Sequence, residues 1–383
     1  MYSRTFSPNS KSSYFLFGPR GTGKSSWLKT YYSKSNYIDL LDDEIYNDLT
    51  AQPKNLSQYI VDSKLPIIID EVQKIPHLLD EVHRLIELHK YQFILTGSSA
   101  RKLRKSGVNL LGGRALTYFF HPLTSIEMKN DFKFKEALEF GLLPMATQSD
   151  NPNKYLQSYI ATYLKEEVQQ ERLTRNMPAF HRFIQAASLS QAAPLNISNV
   201  AADCSVERKV VEDYFSILRD LLITVELPVF SKKAKRELLK KSKFYYFDVG
   251  VFRAIRPRGP LDLESEIIGP ALETLILQNI RAVNDYSEMG YELFYWHTRK
   301  HEEVDFILYG KNRLIAIEVK SSSRLRPKDF EGLRQFKIDY PMAETIFIYG
   351  GSEEKKLSGI KVIPATLFLR DINKFLSPVF VFK

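Results

Sequence analysis

Apolar residues are spaced in more than one way along this chain. Up to about residue 125, short unbroken apolar runs alternate with amphipathic stretches. Tyr14–Phe17, Tyr37–Leu40, Pro66–Asp70, Tyr91–Leu95 and Ala115–Phe120 predict strands buried on both faces. Lys24–Tyr32, Asp42–Asp62 and Leu78–His89 carry helical spacing. This alternation predicts a parallel sheet covered by helices, an α/β arrangement in three layers.

From Glu127 to about Arg182 the pattern turns helical, and Tyr155–Leu164 reads as a core stripe before it reads as a stacking platform. Asn196–Phe230 predicts a winged helix-turn-helix. Its first helix is Ile197–Asp203, Cys204-Ser205 is the turn, and Ser205 caps a second helix, Val206–Leu218. Leu221–Leu227 follows as a strand closed by Pro228. The last part starts near Leu261, with a helix at Gly269–Leu277 and strands at Phe294–His297, Glu303–Leu308 and Leu314–Lys320. The expected divisions are 1–126, 127–190, 191–260 and 261–383.

Candidate chemistry sits where the elements change. The first strand runs into Gly18-Pro19-Arg20-Gly21-Thr22-Gly23-Lys24-Ser25, a full match to G-x-x-x-x-G-K-[ST], and Ser26 continues into a helix. The glycines let backbone N–H groups approach a triphosphate, and the helix N-terminus adds partial positive charge. Lys24 is expected to reach the β- and γ-phosphates and Ser25 to ligate Mg²⁺. The third apolar run ends in Asp70 and Glu71: Asp70 suits the Mg²⁺ shell, and Glu71 suits the base that activates water. A solvated acidic turn is the plainer alternative. Arg114, after Gly112-Gly113, is the first candidate for an arginine finger and Arg101 the second, against a solvated basic surface.

Composition narrows the class. Across 383 residues, Lys+Arg number 54 against 45 Asp+Glu, a net +9 that permits nucleic-acid binding without requiring it. The single cysteine, Cys204, excludes a disulfide framework and a cysteine-based zinc site. Met1–Ser13 lacks an apolar core and no run is long enough for a bilayer, so a soluble cytoplasmic protein without a membrane partner is expected. The densest basic stretch holds Lys232, Lys233, Lys235, Arg236, Lys240, Lys241 and Lys243. It reads as a solvated loop or as a phosphate-contacting wing. Glu207 and Glu212 on the second helix weigh against a groove contact there.

The residues Gly18–Ser25, Ile67–Glu71, Leu95–Ser99 and Leu111–Arg114 resemble AAA+ ATPases. With the C-terminal runs, the chain is similar to bacterial and archaeal AAA-type ATPases whose C-terminal half is a domain of unknown function. The resemblance implies a P-loop AAA+ sheet, ATP as the nucleotide, Mg²⁺, and Thr96 or Ser98 as a γ-phosphate sensor. It also implies a homo-oligomer, up to a hexameric ring. The last domain resembles the restriction-endonuclease-like core: Glu273 on a helix, then Asp305, then Glu318-x-Lys320. There Asp305 and Glu318 would ligate a second Mg²⁺ near Glu273, with Lys320 offsetting phosphate charge. An internal ion-pair cluster that cuts nothing is the alternative. The resulting expectation is an ATPase that couples nucleotide state to duplex or branched DNA. Its rival is a nucleotide-dependent switch that docks a protein partner.

Overall fold

The structure, a computed structural model, describes residues 2–8, 11–98, 111–164, 176–260 and 262–377, the side chains of 163 and 164 excepted. The chain divides into two compact units. One comprises Arg4–Pro122 and Ile217–Ile223, and the other takes the remaining residues. Among the described residues no helix is long and apolar enough to cross a membrane.

In the first unit, β1 (Ser13–Phe17), β2 (Asn36–Asp39), β3 (Ile67–Asp70), β4 (Phe93–Gly97) and β5 (Ala115–Phe119) form a parallel sheet in the order β2-β3-β4-β1-β5. β1, β3 and β4 are buried throughout, as their unbroken apolar runs require. Helices α1 (Lys24–Tyr31), α2 (Asp43–Ala51) and α3 (Leu78–His89) intervene. The single helix expected over Asp42–Asp62 is broken. Asp42 caps α2 by accepting from the Glu44 and Ile45 N–H groups, and the helix stops at Gln52 because Pro53 follows. Pro53–Tyr59 is a separate 3₁₀ segment. β5 is an edge strand with Leu116 and Phe119 exposed.

The N-terminal segment straps this unit. Arg4 donates to the Thr22 carbonyl at 2.8 Å and to those of His121 and Pro122 at 2.7 and 3.1 Å, with its guanidinium over the Phe120 ring. Phe6 is buried beside Trp27, Tyr118 and Phe120. The phosphate loop is thereby tied to the end of β5. Arg4→Ala is expected to cost about 1–3 kcal/mol of stability, read by urea unfolding, because it strands partly buried carbonyls.

The second unit holds two further sheets. The helix Met177–Ser188, strand β6 (Ala193–Pro194), helices Ile197–Cys204 and Arg208–Asp220, and strands β7 (Thr224–Leu227) and β8 (Lys243–Tyr246) follow in that order; the unit boundary falls after Ser216 in the second of the paired helices. The strands pair antiparallel as β6-β8-β7. Ser205 does not cap the second helix as expected. It has φ 54° and closes the first, with its own N–H on the Ala202 carbonyl and that of Val206 on Ala201, the Schellman pattern. β7 is also shorter than predicted, because Leu222 turns the chain at φ 59°.

The third sheet runs β13 (Lys355–Leu357), β14 (Ile360–Pro364), β12 (Glu344–Tyr349), β11 (Leu314–Lys320), β10 (Glu303–Tyr309) and β9 (Glu292–His297). Its long helix, Glu264–Tyr286, extends on both sides of the predicted Gly269–Leu277. Pro270 lies inside it and not at its start, because the buried face continues from Ile267 to Val283. The basic stretch between β7 and β8 keeps most of its lysines exposed while its backbone is tied to a neighbouring strand. It lies along the open edge of β9, bonding Phe230 N–H to the Tyr295 carbonyl at 2.7 Å and Leu239 N–H to that of His297 at 3.0 Å. Lys232 pairs with Glu292 at 3.0 Å, and Arg236 pairs with Asp339 at 2.7 Å.

Asp248 joins the helical segment to these sheets. Fully buried, it accepts from Val251 N–H at the start of helix Val249–Ile255 and from Leu142 N–H at 2.8 Å. Gly141 (φ 69°) passes so close that a Cβ would lie 2.1 Å from the Asp248 carboxylate. Burial raises the Asp248 carboxyl from 3.8 to about 6 against the pull of its N–H donors. Its contribution to stability is therefore fully present below about pH 4 and is lost as pH rises through about 6. Unfolding free energies across that window are expected to show a falling component on the order of 3 kcal/mol, absent in Asp248→Asn.

Candidate functional site

The phosphate loop is built by close approach. Gly18 follows β1, and a Cβ there would lie 2.2 Å from the Phe120 carbonyl oxygen. Gly21 and Gly23 take φ 80° and 90°, a left-handed turn that feeds α1 at Lys24. Gly23 offers no side chain to the helix N-terminus, so an anion can be the acceptor there. Thr22 is buried, with its hydroxyl on the Pro19 carbonyl at 2.8 Å. Lys24 folds back over the loop, donating to the carbonyls of Gly18 and Pro19. Ser25 is half-buried, and Arg20 and Ser26 are exposed on the same loop.

β3 and β4 bring the acids to the same end of the sheet. Asp70 is buried and accepts from the hydroxyls of Thr96 and Tyr37. The Tyr37 hydroxyl also lies near Ser25, so one phenol stands beside both residues expected to hold Mg²⁺. Burial first and the Asp70 bond second push that phenol's pKa well up, so it stays a donor. Glu71 sits at φ 60°, left-handed for a non-glycine residue, and its carboxylate accepts from Gln73. Gln73 also reaches the Ser98 hydroxyl at 3.2 Å. The Thr96 hydroxyl, proposed from the resemblance as a phosphate sensor, is engaged with Asp70 and receives the Glu71 N–H at 3.4 Å.

These hard oxygen donors suit Mg²⁺. Sequence reasoning missed Tyr37 and Gln73. Tyr37 looked like one more apolar strand residue, and only the β2–β3 register, Ile38 beside Ile69 and Asp39 beside Asp70, sets it near Asp70. Tyr37→Phe is expected to raise the Mg²⁺ concentration needed for half-maximal nucleotide turnover several-fold, with affinity for Mg²⁺-free nucleotide unchanged. Arg114 lies on the exposed surface in an ion pair with Glu87. Arg101 and Ser99 fall outside the described residues.

The third sheet gathers the other predicted residues around one that was not predicted. Lys243, 1% exposed, donates to Asp305 and Glu303 at 2.7 Å each and stands 3.1 Å from Glu273. The Tyr245 hydroxyl holds Glu273 at 3.0 Å, and the Val319 N–H holds the second Asp305 oxygen at 2.8 Å. Lys320 pairs with Glu318 at 2.6 Å. The other Glu318 carboxylate oxygen is buried without a hydrogen-bond partner, as are both ring nitrogens of nearby His297.

Burial acts to lower the Lys243 pKa, but Asp305 and Glu273 hold it well above its usual value. Burial and then Asp305 push Glu273 up to about 7 and Glu318 well up. Asp305 is held low because Lys243 and Lys320 outweigh its own burial. Among the described residues, no group of three or more acids, histidines or cysteines is arranged to hold a metal. The predicted pair Asp305 and Glu318 is therefore brought together, but with an ammonium on Asp305. Lys243 read in the sequence as the end of a basic run; no local signal marked it as buried.

Three family profiles match along the chain. A family profile described as an AAA domain matches residues 10–129. Two profiles for domains of unknown function, DUF8612 and DUF4143, match 131–262 and 268–368. The chain thus carries an AAA-family ATPase domain followed by a DUF4143 domain. An uncharacterized protein of Mycobacterium tuberculosis is 25% identical over 362 residues, covering 92% of this chain and 80% of its own length. One of Methanocaldococcus jannaschii is 23% identical, covering 85% and 79%. Among solved structures, a Signal Transduction ATPase with Numerous Domains from Pyrococcus horikoshii aligns at 15% identity and TM-score 0.21, over 73% of this chain and 46% of that one. A protein of Vibrio cholerae aligns at 10% identity and TM-score 0.21, over 95% and 97%.

Proposed function

We propose that this chain is a Mg²⁺-dependent ATPase whose nucleotide cycle governs binding of duplex DNA by its C-terminal half. The observation that carries the hydrolysis is that Lys24 and Ser25 follow the carboxyl end of β1 and Asp70 and Glu71 that of β3, parallel strands of one sheet with β4 between them, with Tyr37 and Thr96 fixing Asp70. Lys24 exchanges the loop carbonyls for the β- and γ-phosphates. Ser25 and Asp70 hold Mg²⁺, whose charge offsets that developing on the phosphate oxygens. Glu71 orients a water and takes its proton. Lys24→Ala is expected to weaken nucleotide binding by roughly tenfold or more and to abolish turnover, measured with a fluorescent nucleotide and by phosphate release.

The DNA part rests on a different feature. Helix, strand, two helices and two strands, paired as β6-β8-β7, is the order of a winged helix. Exposed Lys233, Lys235, Lys240 and Lys241 on the stretch between β7 and β8 supply phosphate contacts. ATPase rates with linear duplex, single strand and a four-way junction test this. Stimulation by one form, with binding that weakens steeply in salt, supports it. Equal rates and no binding at low salt overturn it in favour of a switch that docks a protein partner. The specific observation favouring that second reading is that Lys232, Arg236 and Lys243 are already neutralised by acids of the chain itself. Oligomer formation, up to a ring completed by Arg114, belongs to the same proposal and is read by sedimentation with and without nucleotide.

A further inference from the structure

We infer that Gln73 is a positioning residue for hydrolysis: braced by Ser98, it holds the Glu71 carboxylate by one oxygen and leaves the other to face the attacking water. This rests on the reading of Glu71 as the base.

The amide of Gln73 joins the ends of two neighbouring strands. Glu71 follows β3 and Ser98 follows β4. Gln73 stands between them on the short 3₁₀ turn Val72–Lys74. Its Nε2 group donates to Glu71 Oε2 and reaches the Ser98 hydroxyl at 3.2 Å. An amide NH₂ carries two N–H donors, so one group can serve both. Among the described residues, Gln73 is the side chain that binds the Glu71 carboxylate, and it takes one oxygen.

The main chain of Glu71 is fixed as firmly as its side chain. Its backbone is left-handed at φ 60°, a conformation that a glutamate keeps when its surroundings hold it there. The Glu71 N–H points to the Thr96 hydroxyl at 3.4 Å, and its carbonyl accepts from the Lys74 N–H at 2.9 Å. The turn so closed carries Gln73 back beside the carboxylate two residues earlier. A base that must meet one water in one direction needs this kind of fixing.

Gln73 is also a poor choice for stability alone. It is 6% exposed, and its Oε1 is buried with no hydrogen-bond partner among the described residues. Glu71 is only half-buried, so water can satisfy its carboxylate without help. An unpaired buried carbonyl weakens the fold, and a methionine of similar length would avoid that cost. A residue that breaks the rule of paired buried groups while ordering a carboxylate fits a role in turnover.

The test uses the full chain and compares Gln73→Met, Glu71→Gln and the double variant. Phosphate release gives kcat, a fluorescent nucleotide gives affinity and urea unfolding gives stability. Gln73→Met is expected to lower kcat by roughly 10- to 100-fold, with affinity within a few-fold and a urea midpoint no lower than that of the parent. In the Glu71→Gln background the same change should have no further effect on kcat, because the group it positions is gone. Normal kcat in Gln73→Met beside a slow Glu71→Gln overturns the inference and leaves the base in place. Normal kcat in Glu71→Gln removes the base, and this inference with it. An equal loss from Gln73→Met in both backgrounds overturns it as well, and so do affinity and urea midpoint falling in step with kcat. If Gln73→Met does not fold, Ser98→Ala decides, since it frees the amide without replacing it: kcat lowered several-fold at unchanged affinity supports the inference, and unchanged kcat overturns it.

Discussion

Glu71→Gln is expected to slow ATP hydrolysis by roughly 10²–10⁴-fold while nucleotide affinity stays within a few-fold. Glutamine has the same shape, and its side-chain oxygen can still accept from Gln73. The Thr96 and Tyr37 bonds to Asp70 do not involve it. Only the proton acceptor is lost, so the deficit should appear in kcat and not in binding. The left-handed backbone at Glu71 favours the same reading. The Lys74 N–H on the Glu71 carbonyl and the Ile75 N–H on that of Val72 hold a conformation that costs about 1–2 kcal/mol for a non-glycine residue. Phosphate release under saturating nucleotide, paired with fluorescent-nucleotide binding, checks the split. Normal turnover in Glu71→Gln would remove Glu71 as the base.

Asp305→Ala is expected to destabilise the chain by about 3–5 kcal/mol, the scale for breaking a buried ion pair from one side. The residue is buried, and its loss leaves Lys243 without one of its 2.7 Å partners and the Val319 N–H without its acceptor. Lys243→Met/Asp305→Ala should recover part of that loss, because the uncompensated charge is then gone. A double-mutant cycle by urea unfolding measures the coupling. Additive costs would mean that the pair does not interact as its geometry indicates. Magnesium-dependent nicking, sought in the same preparations, is expected to be absent in the parent, since an ammonium stands on Asp305.

Much of the local structure of the candidate nucleotide site is legible in the sequence, because it is set at short range. Gly18 to Ser25 lies between a buried strand and a helix, and each link is set by residues within a few positions. α3 begins and ends at the expected Leu78 and His89, and Asp70 ends its strand, for the same reason. Expectation and structure part where one residue type serves two geometries. Pro270 looks like a helix start but lies within a longer helix, and Ser205 looks like an N-cap but closes the preceding helix.

The sequence alone determined the phosphate loop, the acids at the end of β3 and the alternation that makes the first sheet parallel, since these follow from spacing and short-range backbone preference. Only the tertiary structure decided that Tyr37 meets Asp70, 33 residues away, and that Lys243 leaves its basic run to sit among Glu273, Glu303 and Asp305. A charge run reads as solvated because burying one charge is costly. What offsets that cost here is a set of carboxylates at least 30 residues further along the chain, and no window of sequence contains both.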